Sequence, residues 1–136
     1  MLDLVNINYG AIFTAVLSSF IVGWVWYSPA LCGKAWQKAI AKTDAELKKG
    51  MLPGFVTWGV SAIITAFVLD NILVWVDATS MFGGVLVAFW LWLGFVITTL
   101  AVNNKFAHRP PILLWIDGGH QLLTMLVMGA VLAVWL

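Results

Sequence analysis

Residues 81–102 read MFGGVLVAFWLWLGFVITTLAV, a run that contains no charged side chain. A helix needs about 20 apolar residues to cross the hydrocarbon core of a bilayer, so this run predicts a transmembrane helix. Outward from it, three more largely apolar runs of similar length occupy residues 8–28, 55–76 and 110–136. The sequence therefore predicts four spans that form one transmembrane domain over residues 1–136.

The composition of the chain agrees with membrane insertion. Hydrophobic residues make up 62% of the chain and charged residues 10%, which leaves too little polar surface to coat a water-soluble globule. We therefore predict an all-α, integral membrane four-helix bundle. A net charge of +1 gives no polybasic footprint, so no nucleic-acid partner is expected. The single cysteine, Cys32, excludes an intramolecular disulfide and a CxxC motif.

The positive charges predict the topology of the four spans. All Lys and Arg residues fall in two of the stretches outside the apolar runs, namely Lys34, Lys38, Lys42, Lys48 and Lys49 in one and Lys105 and Arg109 in the other. Basic residues near span ends are retained in the cytoplasm, so both stretches are predicted to be cytoplasmic and both termini to lie outside. Residues 1–8 carry Asp3 and no basic n-region, so the first run is expected to remain as a span.

The first cytoplasmic loop, residues 29–54, is predicted to contain an interfacial amphipathic helix over residues 29–42. Lys34, Lys38 and Lys42 recur at four-residue spacing, with Trp36 and Ile40 on another side. Such a helix lies in the headgroup layer, with its lysines among lipid phosphates. A plain cytoplasmic linker and a surface for a specific partner remain the alternatives.

A second short helix is predicted in the same loop. Thr43 and Glu46 have the spacing of a capping box, which indicates a helix start at Thr43. We expect this helix to stop near Gly50, before the Pro53-Gly54 breaker that precedes the second span.

Small residues recur at every fourth position of the first span, at Ala11, Ala15, Ser19 and Gly23. This pattern predicts a face where another helix approaches closely, and it places the first span at the centre of the bundle. Shorter stripes of small residues at the same spacing occur at Gly84 and Ala88 in the third span and at Gly129 and Ala133 in the fourth. Because four short helices enclose little volume, a homo-oligomer in contact with membrane lipids is also expected.

Polar residues from all four spans are predicted to lie at one depth. With a rise of about 1.5 Å per residue, they fall roughly 5 to 15 Å below the cytoplasmic interface. The set comprises Ser18, Ser19, Ser61, Thr65, Thr98, Thr99, Asp117, His120 and Gln121. Asp117 and His120 share a helix face, so we expect either a hydrogen bond between their neutral forms or an ion pair. Ionisable groups within a span usually face a partner or a wet cavity.

Two functions are compatible with this intramembrane cluster. The first is passage or sensing of a proton, a small cation or a small polar solute. The second is a non-catalytic scaffold or partner-binding subunit, in which the polar groups only stabilise helix packing. No HExxH motif, Ser-His-Asp order or glycine-rich phosphate loop is present, so we expect no enzyme activity, no cofactor and no metal site.

Asp70 and Asn71 form a second polar spot beneath the outer interface. We expect the Asp70 side chain to snorkel outward to the interface. The alternatives are a protonated carboxyl that bonds a carbonyl group and a ring of Asp70 side chains around an oligomer axis.

The tryptophans are distributed unevenly along the spans. Most of the nine fit an interfacial belt. Trp90 and Trp92 instead fall in mid-span, where each indole N–H needs an internal partner or a pocket.

Several segments resemble a known family. Residues 26–29 read WYSP and residues 33–36 read GKAW, Arg109-Pro110 precedes the last span, and Gly119-His120 and Gly129 lie within it. This pattern is similar to the small bacterial four-span membrane proteins of the domain of unknown function 1761 family, over nearly the whole chain. The resemblance implies a multi-pass protein of the bacterial inner (plasma) membrane and supplies no catalytic residue.

Overall fold

The computed structural model describes residues 7–136, which are all-α. The first helices are α1 (Tyr9–Trp26), α2 (Gly33–Ile40) and α3 (Asp44–Trp75). They are followed by α4 (Met81–Leu91), a π-helical segment (Trp92–Ile97), α5 (Thr98–Phe106) and α6 (Pro111–Val134). Residue Asp3 lies outside the described part of the chain.

Four helical segments are long and apolar enough to cross a membrane, namely Tyr9–Trp26, Asp44–Trp75, Met81–Phe106 and Pro111–Val134. This finding confirms the all-α, four-span prediction. The third of them, which we call span 3, runs continuously through α4, the π-helical segment and α5. Span 3 extends to Phe106, past the end of the apolar run at residue 102, because the polar residues that follow this run also adopt a helical conformation.

The loop between the first two predicted spans, residues 29–54, differs from its prediction. The capping box is present, because the Thr43 side chain accepts from the Glu46 N–H and the Glu46 carboxylate accepts from the Thr43 N–H. The helix, however, neither stops near Gly50 nor breaks at Pro53, and it continues into the second span as the 32-residue α3. A proline removes only one backbone donor, and the helix around Pro53 is exposed, so the missing hydrogen bond does not end it.

The amphipathic helix α2 is shorter than predicted. It ends at Ile40, and Ala41 has a left-handed conformation with φ 54° that turns the chain away. Lys42 therefore lies beyond the helix, and the predicted stripe of three lysines on one helix is wrong. Lys34, Lys38 and Lys42 still line one shallow, open depression. On the other side of α2, Trp36 packs edge-on against Tyr27, with 5.6 Å between ring centroids.

Helix α6, rather than α1, is the centre of the bundle. Half of its apolar window is buried (50%), against 22% for α1 and 6% for span 3. The small-residue face of α1 is fully buried as predicted, but the glycines of α6 meet two neighbours, with Gly118 and Gly129 against span 3 and Gly119 against Trp26 of α1. The prediction of a central first span is therefore wrong.

The bundle has two unlike ends, which we name by their position along the helices. The basic half adjoins the two lysine- and arginine-containing loops, and the far half adjoins residues 76–80. In the far half, a Cβ atom at Gly84 would collide with the Gly129 carbonyl oxygen, so α4 and α6 meet backbone to backbone. The buried core there is formed by Ala11, Ala15, Ala66, Leu69, Leu73, Ala88, Met125, Met128, Leu132 and Ala133.

Candidate functional site

The Asp117 side chain of α6 contacts two residues that lie outside this helix. The Tyr27 hydroxyl, just past the end of α1, donates a 2.7 Å hydrogen bond to Asp117 Oδ1. The Arg109 guanidinium, just before α6, lies 3.6 Å from Asp117 Oδ2. The carboxylate is thus partly neutralised by a cation, which lowers the cost of an acidic group inside a span.

Arg109 is itself positioned by Asn104. Arg109 Nη1 donates to Asn104 Oδ1 at 3.2 Å, and the Arg109 N–H donates to the Asn104 carbonyl at 3.0 Å. Burial, and next the hydrogen bond to Asp117, raise the pKa of Tyr27 well above its usual range. The phenol therefore stays protonated and keeps donating to Asp117 at any physiological pH.

His120 has different partners from Asp117. Its Nε2 lies 3.3 Å from Thr124 Oγ1, and its ring packs 4.9 Å from the Tyr27 ring and 5.9 Å from the Trp58 ring. Among the described residues, no hydrogen bond joins Asp117 to His120. Both predicted pictures of a directly bonded pair are therefore wrong, because Asp117 turns toward Tyr27 and Arg109 while His120 reaches one turn onward to Thr124.

Gly23 of α1 makes room for this arrangement. A Cβ atom at Gly23 would collide with the Trp58 indole and lie 3.2 Å from His120 Nε2. The absent side chain thus lets an indole from α3 and an imidazole from α6 meet over the backbone of α1. Phe20 and Phe55 extend the aromatic cluster on either side of Trp58, at centroid distances of 4.7 and 6.0 Å.

His120 lines a cleft of about 450 Å³ between α3 and α6, which we call the His120 cleft. Its other lining residues are Tyr27, Trp36, Gly54, Thr57, Trp58, Ser61 and Gln121. Three of the predicted site residues, Ser61, His120 and Gln121, therefore meet at one cavity. The cleft is open on one side and combines aromatic rings with several polar side chains, and its volume lies in the range of small-molecule sites.

The family model for Protein of unknown function (DUF1761) matches residues 10–133. The chain belongs to this family. The match includes the tryptophan-tyrosine-serine-proline corner, which supplies Tyr27 to the site, and thus confirms the resemblance drawn from the sequence. No curated protein and no solved structure matches the chain.

Four of the predicted site hydroxyls do not join the cleft. Each donates to a carbonyl of its own helix, Ser18 to Thr14, Ser19 to Val16, Thr98 to Gly94 and Thr99 to Phe95. A hydroxyl in an apolar span meets its hydrogen-bonding need most simply in this way. Equal depth alone therefore does not bring these groups together, since the rotation of each helix turns most of them aside.

The two mid-span tryptophans have different surroundings. Trp92 Nε1 donates to the Gly118 carbonyl at 2.9 Å, whereas Trp90 is 61% exposed on the outer face of span 3. Trp26, expected in the interfacial belt, likewise turns inward and donates to the Ile116 carbonyl at 3.0 Å. Neither Trp90 nor Trp92 lines the His120 cleft.

The second polar spot is buried rather than snorkelling. Asp70 is only 7% exposed, and its Oδ1 has no hydrogen-bond partner among residues 7–136. Asn71 is also buried and donates to the Phe67 carbonyl at 2.9 Å. The expected outward path is wrong, because the helix rotation directs Asp70 into the bundle, and a carboxylate side chain is too short to reach past its neighbours.

Sequence reasoning missed five residues of the site, namely Tyr27, Arg109, Thr124, Trp36 and Trp58. A signal existed for Arg109, since an arginine two helical turns before the lone acid of a span is within reach of it. Thr124 stands one turn after His120, the spacing of neighbours on a helix face. Tyr27 and the two tryptophans gave no such signal, because their role depends on how α1, α2 and α3 meet.

Proposed function

We propose that this multi-pass membrane protein is a non-enzymatic sensor or binder of a proton or a small polar solute, which engages the His120 cleft from the basic half. We further propose that it resides in a bacterial inner membrane with both termini outside, so that this cleft is reached from the cytoplasm. Lys34, Lys38 and Lys42 would then face anionic lipid headgroups.

The observation that supports this proposal best is the state of His120. The imidazole is buried to 6% exposure and lines the cleft, with Nε2 beside Thr124 and with no hydrogen bond to Nδ1 among the described residues. Imidazole ordinarily changes charge between pH 5 and 8. An imidazole that borders a cavity and has no hydrogen bond at Nδ1 can therefore accept a proton or form a hydrogen bond with a solute.

Sensing is favoured over passage by the packing beyond His120. Past Thr124, α6 continues with the buried side chains Met125, Met128 and Leu132 and with the backbone contact at Gly129. Among the described residues, the far half is closely packed and apolar except for Asp70 and Asn71, and neither of these lines the His120 cleft. Binding of a free cation by Asp117 is disfavoured for another reason, because Arg109 already occupies the vicinity of that carboxylate.

The second candidate is a membrane scaffold, and a specific observation favours it. Trp26 and Trp92 both donate to backbone carbonyls of α6, and Tyr27 ties α1 to the same helix, so many polar groups have a structural use. Such a scaffold would be expected to act as a homo-oligomer, with span 3 supplying the least buried face. It predicts no ligand and no titration linked to His120.

A pH titration of intrinsic fluorescence separates the two candidates. A protonated imidazole quenches a neighbouring indole, and Trp58 lies edge-on to His120 at 5.9 Å. In purified protein in zwitterionic nanodiscs, we expect a reversible loss of emission on acidification that is absent in His120→Gln. The Trp58→Phe variant identifies the reporter, since it should lose the same transition while retaining the imidazole.

A contrary result is equally clear. If wild type and His120→Gln titrate identically and the variant, still folded, unfolds at a lower temperature, His120 is a packing residue and the scaffold is favoured. The proposed topology has its own check, since a membrane-impermeant thiol reagent applied outside intact cells should label Asp77→Cys and not Lys105→Cys in a Cys32→Ser background.

A further inference from the structure

The His120 cleft opens into a second, wider cleft toward the basic loop. This wider cleft measures about 810 Å³, and it shares Tyr27, Trp36, Gly54 and Trp58 with the first. The two clefts therefore adjoin each other and together form an open groove along the side of the bundle, which we call the passage, from the basic loop to His120. The following inference rests on the proposed function of that cleft and concerns the chemical class of its ligand.

The rim of the wider cleft has an excess of positive charge. Lys42, Glu46 and Lys49 line it, and neither lysine makes an ion pair in the described part of the chain. The Glu46 carboxylate is committed to the helix cap, where it accepts from the Thr43 N–H at 2.8 Å and from the Thr43 hydroxyl at 3.1 Å. Lys42 still interacts electrostatically with Glu46, so the rim keeps a net charge of +1, and Lys49 is its ammonium group without a carboxylate partner among the described residues.

The walls between rim and floor are flat and apolar. Tyr27 and Trp36 meet edge to face, and the Phe55 and Trp58 rings are stacked, with an 18° angle between their planes. Aromatic side chains bury large areas against another ring and lose little conformational entropy in doing so. This surface suits a flat ring system better than a flexible chain.

The inner end of the passage, which we call its floor, carries polar side chains that lack a hydrogen-bond partner among the described residues. Ser61 and Gln121 make no hydrogen bond among residues 7–136, although both belong to spans and line the cleft with His120. Gln121 lies ten residues into α6, about 15 Å along the helix axis and hence near the bilayer centre. An amide exposed at that depth is costly unless something bonds it.

We propose that the joined clefts bind an amphipathic organic anion. Its acidic group pairs with Lys42 and Lys49, its flat apolar ring lies among Tyr27, Trp36 and Trp58, and its far end bonds Ser61, Gln121 or His120. Each part of such a molecule meets a part of the passage that otherwise lacks a partner. Lipids alone satisfy the walls and the rim, but an acyl chain offers nothing to the floor.

Matched probes of one ring system test this class directly. Binding of 2-naphthoate, 2-naphthol and 2-naphthylmethylammonium is measured by isothermal titration to the full chain in zwitterionic nanodiscs, with empty nanodiscs as the blank. We expect naphthoate to bind most tightly and the ammonium compound least. Decanoate, an anion of similar apolar size without a ring, should bind more weakly than naphthoate.

The lysines provide a matched pair of variants. Lys42→Gln combined with Lys49→Gln should weaken naphthoate about tenfold and leave naphthol unchanged, since two paired charges are lost. Lys48→Gln removes the same charge from a neighbouring position that does not line the cleft, and it should change neither. Ser61→Ala with Gln121→Leu should weaken naphthol, whose hydroxyl can bond these residues, and should leave naphthoate, which has no polar group at its far end, unchanged.

Several results would overturn the inference. Equal binding of the three naphthyl compounds, or an equal loss in Lys48→Gln, would mean that no anion subsite exists. Decanoate or anionic lipid vesicles displacing naphthoate completely would assign the passage to a lipid. Efficient disulfide formation between two copies of Ser61→Cys, in a Cys32→Ser background, would show that a second chain covers the floor. A His120-dependent fluorescence transition could persist in all these cases, so the sensor proposal would stand separately.

Discussion

The two halves of the bundle solve the problem of packing helices in a membrane in opposite ways. The far half brings backbones together through small residues, with Gly84 against Gly129 and a core of alanine, leucine and methionine. The basic half holds its helices apart with aromatic rings and joins them by side-chain hydrogen bonds from Tyr27, Trp26 and Trp92. The His120 cleft lies among these rings, whereas the far half borders only an apolar groove of about 400 Å³ beside Leu69 and Met125 in the described part of the chain.

This difference assigns stability and binding to separate ends. Small-residue faces contribute van der Waals contact that a bilayer cannot replace. Polar groups in the basic half are individually weaker contributors, but they border cavities, where a ligand or proton changes their interactions. Substitutions in the far half should therefore change stability most, and substitutions in the basic half should change binding or pH response.

The largest effect is expected at the backbone contact of the far half. Gly84→Val forces a side chain into the Gly129 carbonyl, and we expect the free energy of unfolding to fall by about 3 kcal/mol or more. Unfolding in mixed detergent micelles measures the change. Gly94→Ala, in the same span but with open space around its Cβ, serves as the control and should stay within about 0.5 kcal/mol of wild type.

A smaller effect is expected when the acid of the basic half is removed. Asp117→Ala leaves Arg109 without its anion and Tyr27 without its acceptor, so we expect a loss of about 2 kcal/mol. Adding Arg109→Gln to this variant should restore part of the loss, because the uncompensated cation is then gone. Two strictly additive losses would contradict the pairing of these residues.

The hydroxyl of Tyr27 is expected to matter less at neutral pH and to have a distinctive alkaline signature. Tyr27→Phe should cost about 1 to 2 kcal/mol near pH 7. Because the folded-state pKa of Tyr27 lies above the unfolded value near 10, its contribution is complete below pH 10 and is lost as the pH rises further. The stability difference between wild type and Tyr27→Phe should thus shrink above pH 10, and a constant difference would contradict the account.

The smallest change is expected at the polar exception of the far half. Asp70 is buried with one carboxyl oxygen that has no hydrogen-bond partner in residues 7–136, so a leucine of similar volume should pack there without loss. We expect Asp70→Leu to change the free energy of unfolding by less than about 1 kcal/mol, in either direction. A loss above about 2 kcal/mol would assign the carboxyl a partner and weaken the description of the far half as apolar and closely packed.

The sequence predicted the fold better than the site, for physical reasons that particular residues illustrate. Hydrophobic run length determines how many helices cross a bilayer, and the spacing of Ala11, Ala15, Ser19 and Gly23 marks a packing face without reference to any other helix. The path of the chain through Pro53 was missed, because one lost hydrogen bond is small beside the rest of α3.

The direction of each polar side chain was not predictable from the sequence. Ser61, His120 and Gln121 line one cleft, but Thr98 and Thr99, predicted at the same depth, bond to their own helix. Whether a side chain faces a cleft depends on the rotation of its helix, which is determined by packing against neighbours such as Trp58 over Gly23. That contact joins residues far apart in the chain, so local patterns do not reveal it.

Ion flux in proteoliposomes tests the central claim most directly, namely that the cleft of the basic half is closed by the far half. Wild-type protein is reconstituted with a pH-sensitive dye inside the vesicles, and a pH step between 5 and 8 is applied with and without a potassium gradient. The account predicts proton and potassium flux no faster than in protein-free vesicles. A flux that wild type supports and His120→Gln abolishes would contradict it and make the protein a conductor.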